Sequence, residues 1–168
     1  MNWFFLTVGY SGLSPKAPGT MGTLVSLPLG MLILIYFDVT TLFLAASLIS
    51  IIAIKVINEY EAESGTHDNQ KIVIDELAGI WFALSVAPAT TVAMNQVLDL
   101  QNGFLIQSLL SFVLFRAFDI TKPSIIGRID REAQGGIGVM GDDIIAGFAA
   151  GISAAALWQG WLYIQTMN

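Results

Sequence analysis

The sequence has no cysteine and a single histidine, His67. The first absence excludes a disulfide frame, a thiol nucleophile and a cysteine-ligated metal. Charge is scarce as well. Only 12% of the residues are Asp, Glu, Lys or Arg, while 55% are hydrophobic. Soluble domains carry about 25% charged residues, so the composition belongs to the membrane class. Seven basic residues stand against 13 acidic ones, a net charge of -6. That balance argues against nucleic-acid binding, which needs clustered Lys and Arg. The opening "MNWFFLTVGYSGLSPKAPGT" has no basic residue ahead of its apolar part. It is not expected to act as a cleaved secretory signal.

Long apolar runs are what the chain does have. Five stretches could cross a bilayer: Met21–Phe37, Val39–Ile54, Leu77–Met94, Phe104–Phe118 and Ile144–Ile164. A crossing takes about 20 apolar residues, so the third and fifth are the best candidates and the others must borrow flanking residues. Pro28 and Pro88 fall inside two of the stretches and predict kinks. Asp38 leaves almost no loop between the first two, which predicts a tight hairpin. The segment Trp3–Leu13 is too short to span and should lie in the interface or dip partway in. The expected fold is an all-α polytopic membrane bundle of four to five spans plus that short segment, one domain over residues 1–168. Alternate threading places Lys16, Lys55, Lys71, Arg116, Lys122, Arg128 and Arg131 on one side, with Asp38 and Asp99 on the other. The basic side should face the cytoplasm. Trp158, Trp161 and Tyr163 read as an interfacial aromatic belt.

Three polar segments share the basic side: Gly12–Thr23, Asn58–Glu76 and Arg116–Asp143. The second and third each end in an acidic doublet ahead of an apolar run, Asp75-Glu76 and Asp142-Asp143. The simpler reading of each doublet is a helix cap that opposes the macrodipole, typically for about 0.3–1 kcal/mol. The sharper reading is a metal site, because Mg²⁺ takes one or two carboxylates together with waters and substrate phosphate. The two are compatible, and acids at a membrane edge are functional candidates.

In "RAFDITKP", Arg116, Asp119 and Lys122 are spaced by three and share a helix face, with Pro123 ending the helix. They make either a local ion-pair ladder or a phosphate site. In the second case Arg116 grips in bidentate fashion, Lys122 supplies a point charge, and Asp119 joins a metal shell or orients Arg116. "GGIGVMGDD" contains a literal G-x-G-x-x-G, Gly136 through Gly141, but no βαβ unit surrounds it, so a dinucleotide fingerprint is rejected. Its glycines should allow close backbone approach and a sharp turn into a helix after Asp142. In "SPKAPGTMGT", Thr20 or Thr23 either caps the first span or joins Lys16 in contacting a phosphate. His67, beside Asp68, is a candidate acid or base. The acids of "EYEAE" read as a solvated helix end.

Taken in order, "GLSPKAPGTMGT", "HDNQKIVIDELAG", "FRAFDITKP" and "GGIGVMGDDIIAG" resemble the signature segments of the phosphatidylglycerophosphatase A family. The resemblance runs from about Gly9 to Gly147. It implies an integral membrane lipid phosphatase, usually Mg²⁺-dependent, which converts phosphatidylglycerophosphate to phosphatidylglycerol on the cytoplasmic face of the bacterial inner membrane. It also implies that Asp75, Glu76, Asp142 and Asp143 are the acidic motif positions, with His67, Asp68, Arg116, Asp119 and Lys122 in the pattern. The family often has a second Pro and an aromatic where this chain has Ser124 and Ile125, a difference that bears on lipid preference. The expected site is one or two Mg²⁺ held by Asp75, Glu76, Asp142 and Asp143. Arg116, Lys122 and Lys16 would neutralise phosphate, and attack would come from an activated water or an aspartate. The competing expectation is a small ion- or proton-coupled transporter using the same acids.

Overall fold

The computed structural model describes residues 3–66, 69–88, 92–123 and 125–167; His67, Asp68 and Ser124, named above, lie outside them. The elements are α1 (Trp3–Leu6), α2 (Pro18–Tyr36), α3 (Val39–Ser64), α4 (Ile74–Val86), α5 (Phe104–Thr121), α6 (Ile125–Glu132) and α7 (Gly135–Thr166). Short 3₁₀ turns at Ser11–Leu13, Met94–Gln96 and Leu100–Asn102 complete the set, and no strand occurs among the described residues. Four helices, α2, α3, α5 and α7, are long and apolar enough to cross a membrane. Their outer faces expose Leu29, Leu32, Leu44, Leu48, Ile51, Leu109, Val113, Ile152 and Leu157. Apolar surface on that scale belongs against hydrocarbon rather than water.

The hairpin expected at Asp38 is present. Asp38 is the N-cap of α3 and accepts the amide N–H of Thr41. That hydrogen bond holds its carboxyl below the usual carboxylate range. At the other end of α3, Gly65 takes a left-handed φ of 66° and its N–H donates to the Glu61 carbonyl at 2.9 Å, closing the helix.

The third apolar stretch departs from the sequence expectation. Helix α4 has 13 residues, about 20 Å at 1.5 Å per residue, short of the roughly 30 Å a crossing takes. It ends at Val86 instead of running on to Met94. Pro88 therefore lies beyond α4 and kinks nothing, while Pro28 sits inside an uninterrupted α2. Where α4 stops, the Ser111 hydroxyl of α5 donates to the freed Ala87 carbonyl at 3.1 Å. That contact meets the need of a backbone group buried away from water.

Short as it is, α4 is the axis of the bundle. Ile74 and every residue from Leu77 to Leu84 are buried, against α2, α3, α5 and α7. Small residues let the neighbours in. A Cβ on Gly147 of α7 would run into the Gly79 carbonyl of α4, and one on Gly151 would meet the Ala83 carbonyl at 2.6 Å. Ala146, Ala150 and Ala154 are fully buried along the same helix. Backbones approach this closely in membrane bundles where small side chains line the seam. On the α2 side, Gly22 faces Val73, Gly30 faces Trp81, and the Trp81 indole N–H donates to the Ser26 carbonyl at 2.9 Å.

The segment Trp3–Leu13 makes α1 and the first 3₁₀ turn and does not span. It packs over the start of α4: the Val73 N–H donates to the Leu6 carbonyl at 2.9 Å, and Leu6 is fully buried. Helix α7 also starts earlier than its apolar run suggests. The left-handed residue that turns the chain into it is Gly135, φ 65°, not a glycine beside Asp142. The Gly136 N–H then donates to Asn58 Oδ1 at 2.7 Å, tying α7 to α3.

Candidate active site

The start of α2, the start of α4, the end of α5 and the first turns of α7 meet at one end of the bundle. Between them lies a cavity of about 420 Å³. Asp75, Glu76, Asp119, Asp142 and Asp143 line it, together with Arg116 and Lys122. Five carboxylates against two cationic side chains leave the cavity acidic. Like charges gathered in a desolvated place are costly unless a cation or a proton joins them.

Each carboxylate is placed by a local feature of its helix. Asp75 and Glu76 occupy the first turn of α4, whose N-cap Val73 has no side chain able to cap. The Glu76 N–H donates to Asp75 Oδ1 at 3.0 Å, so the capping reading of this doublet is partly right. For the other doublet it is wrong. Asp142 and Asp143 lie about two turns into α7 and are both buried. Successive residues on a helix diverge by about 100°, so one doublet serves two neighbours. Asp142 meets Lys122, the residue that caps the end of α5, with Nζ donating to Oδ2 at 2.7 Å. Asp143 reaches the α4 acids on one side and Asp119 on the other.

Arg116 and Asp119 pair across one turn of α5 at 2.7 Å. The Arg116 guanidinium also stands 3.9 Å from Glu76 Oε1 and 3.5 Å from the Thr23 hydroxyl of α2. Lys122 ends the helix in a left-handed conformation, φ 43° and ψ 56°. Pro123 disfavours the right-handed helical conformation for the residue before it, so α5 stops at Thr121. Gly19 completes the wall: a Cβ there would strike Glu76 Oε1.

Two carboxylate trios bring one oxygen from each member within 4.8 Å of the others: Asp75–Glu76–Asp143 and Asp119–Asp142–Asp143. Asp143 belongs to both. Among the described residues, two buried polar atoms of this site have no hydrogen-bond partner, Glu76 Oε2 and Arg116 Nε. One is an acceptor and the other a donor. A hard cation suits the first and an anionic oxygen suits the second, so the donor set fits a metal–phosphate complex.

A family model described as Phosphatidylglycerophosphatase A matches residues 4–158. The chain belongs to the phosphatidylglycerophosphatase A family. Phosphatidylglycerophosphatase A of Escherichia coli K12 is 36% identical over 152 residues, which cover 89% of this chain and 80% of that protein. The Haemophilus influenzae protein of the same name is 32% identical over 158 residues, 94% of this chain and 88% of the relative. A Bacteroides thetaiotaomicron protein, provisionally named a phosphatidylinositol-3-phosphatase, is 31% identical over 153 residues, 88% of each chain. No solved structure matches.

The residues that suggested this family from sequence are placed unevenly. Asp75, Glu76, Arg116, Asp119, Lys122, Asp142, Asp143 and Thr20 line the cavity. Thr23 stands behind it, with its hydroxyl donating to the Gly19 carbonyl at 2.9 Å and facing Arg116. Neither threonine caps α2, whose N-cap is Ala17. Lys16 is exposed and is not among the lining residues. His67 lies outside the described residues. Gln70, Gly19, Gly138 and Ile120 line the cavity without having been singled out. All four sit inside the motif segments, and that position is the signal the sequence offers; none carries a charge to draw attention.

Proposed function

We propose that this protein is a membrane phosphatase that hydrolyses the terminal phosphomonoester of phosphatidylglycerophosphate to phosphatidylglycerol and inorganic phosphate. It would act at the cytoplasmic face of a bacterial inner membrane, in line with its bacterial relatives and the one-sided Lys and Arg. Family membership supports the reaction class. The observation that carries the reading at this site is the paired orphans, Glu76 Oε2 and Arg116 Nε, among five carboxylates. They ask for a cation and an anion at once.

Magnesium is the ion that best suits all-oxygen donors beside a phosphate. The trios Asp75–Glu76–Asp143 and Asp119–Asp142–Asp143 would hold it, as one ion or two. When bound, such an ion supplies Lewis-acid neutralisation of phosphoryl charge and lowers the pKa of a water. The protein's own part is positioning and electrostatics, which dominate phosphoryl transfer. Arg116 offers Nε to a non-bridging phosphate oxygen while Asp119 fixes its plane. Lys122, half-exposed beside Asp142, meets the phosphate charge from the α5 side. Water oxygen bonds to phosphorus as the phosphorus–oxygen bond to glycerol breaks, and the proton that the water gives up balances the one that the departing glycerol oxygen takes.

The transporter reading finds no support. It needs polar groups along a path through the bundle, whereas the carboxylates gather at one end and the named relatives are phosphatases. The deciding experiment is phosphate release from reconstituted protein, with phosphatidylinositol 3-phosphate as a competing substrate. Asp75→Asn and Asp142→Asn are each expected to lower turnover by at least about 100-fold, the scale of a lost electrostatic catalyst. EDTA should do the same, reversibly on adding Mg²⁺. Full activity in EDTA would remove the cation, and absence of any phosphate release would remove the phosphatase.

A further inference from the structure

Most residues that line the cavity are polar, glycine or buried. Among the described lining residues, Ile120 is the only large apolar side chain that is exposed, at 69%. It does not stand alone. On α5 the exposed residues Leu109, Val113, Ala117 and Ile120 follow one another at intervals of four, four and three. Residues at that spacing form one continuous stripe along a helix. Helix α5 is one of the four long enough to span. Its outer stripe therefore runs from the hydrocarbon-facing side of the bundle up to the mouth of the acidic cavity. The opposite face of the same helix carries Ser108, Ser111 and Phe115 into the core.

We infer that this stripe is the acyl track of the enzyme: the diacyl tail of a lipid phosphomonoester lies along Leu109, Val113 and Ala117, and its headgroup turns inward past Ile120. The inference rests on the phosphatase reading and adds to it the side from which substrate arrives. Other exposed apolar stripes, such as Leu44, Leu48 and Ile51 on α3, contribute no residue to the cavity. Only the α5 stripe, among the described residues, ends in a residue that is exposed, bulky, apolar and part of the cavity wall. Lys122 stands two positions beyond it, close to where the lipid's phosphodiester would pass.

The discriminating measurement is a ratio. The full chain is assayed on dioleoyl phosphatidylglycerophosphate in vesicles and on its deacylated, water-soluble counterpart, and kcat/KM for the first is divided by that for the second. Ile120→Ser and Val113→Ser are each expected to lower this ratio, Ile120→Ser by about tenfold, the discrimination that a few methylene contacts support. Leu48→Ser, on the α3 stripe, should leave it where it was. Val113 does not touch the cavity, so its effect cannot come from a disturbed site. An unmoved ratio in both α5 variants, or an equal fall in Leu48→Ser, overturns the acyl track while the phosphatase reading stands. A wild-type protein inactive on both substrates sinks that reading and the track with it.

Discussion

Asp143→Asn is expected to be the most damaging single substitution in the site. It should lower phosphate release by well over about 100-fold, the loss attached to one electrostatic catalyst. The reason is geometric. Asp75, Glu76, Asp119 and Asp142 each belong to one carboxylate trio, and Asp143 belongs to both. Removing its charge weakens both potential cation positions together, while the isosteric amide keeps the volume. Residues that act as a unit are strongly non-additive, so Asp75→Asn added to Asp143→Asn should cost little more. Turnover should be followed across a Mg²⁺ titration, with thermal unfolding in detergent to establish that the variant is folded. If Asp143→Asn falls no further than Asp142→Asn, the shared carboxylate has no special role.

The second large effect lies outside the cavity. Gly147→Val should break the α4–α7 seam, because its Cβ is directed at the Gly79 carbonyl, which belongs to backbone and cannot rotate aside. Overpacking a core typically costs about 1–3 kcal/mol, and a clash with main chain lies at the top of that range. The damage should not stop at stability. Asp143 lies one helical turn before Gly147, and Asp75 lies one turn before Gly79, so parting the seam parts the acids. Activity should therefore fall further than the unfolded fraction explains. Gly160→Val is the matching control, since a Cβ there meets nothing within 4 Å. Denaturation curves and phosphate release for the two valine variants decide the point; wild-type stability in Gly147→Val would mean that the helices do not approach as closely as described.

Much of this was legible in the sequence, for physical reasons that also mark where legibility ends. The spans α2, α3 and α5 follow from long apolar runs, and the hairpin from Asp38, whose side chain caps the next helix. The i, i+3 spacing of Arg116 and Asp119 announced their ion pair. What hydropathy cannot report is helix length where the apolar run outlasts the helix, as it does from Val86 to Met94. Nor does intrinsic propensity foresee α7 beginning at Gly135. Glycine is a poor helix former, yet here Gly136 packs its backbone against Ile54 of α3, so tertiary contact overrides local preference. Asp75 and Asp143 are far apart in the chain and their meeting was recoverable only as a bet that the doublets converge, while the Lys122–Asp142 pair was not foreseen.

The central position of α4 bears on how the protein meets membranes of differing depth. Bilayers vary by a few ångströms between thin and thick, and helices in contact with lipid answer by tilting. In this bundle the lipid-facing work falls to α2, α3, α5 and α7, while α4 is enclosed by them and carries Asp75 and Glu76. Its height is set by the glycine seam with α7 rather than by the hydrocarbon around it. Growth conditions that remodel the acyl composition would then tilt α7 and α4 as one unit and leave the α4 carboxylates level with Asp143.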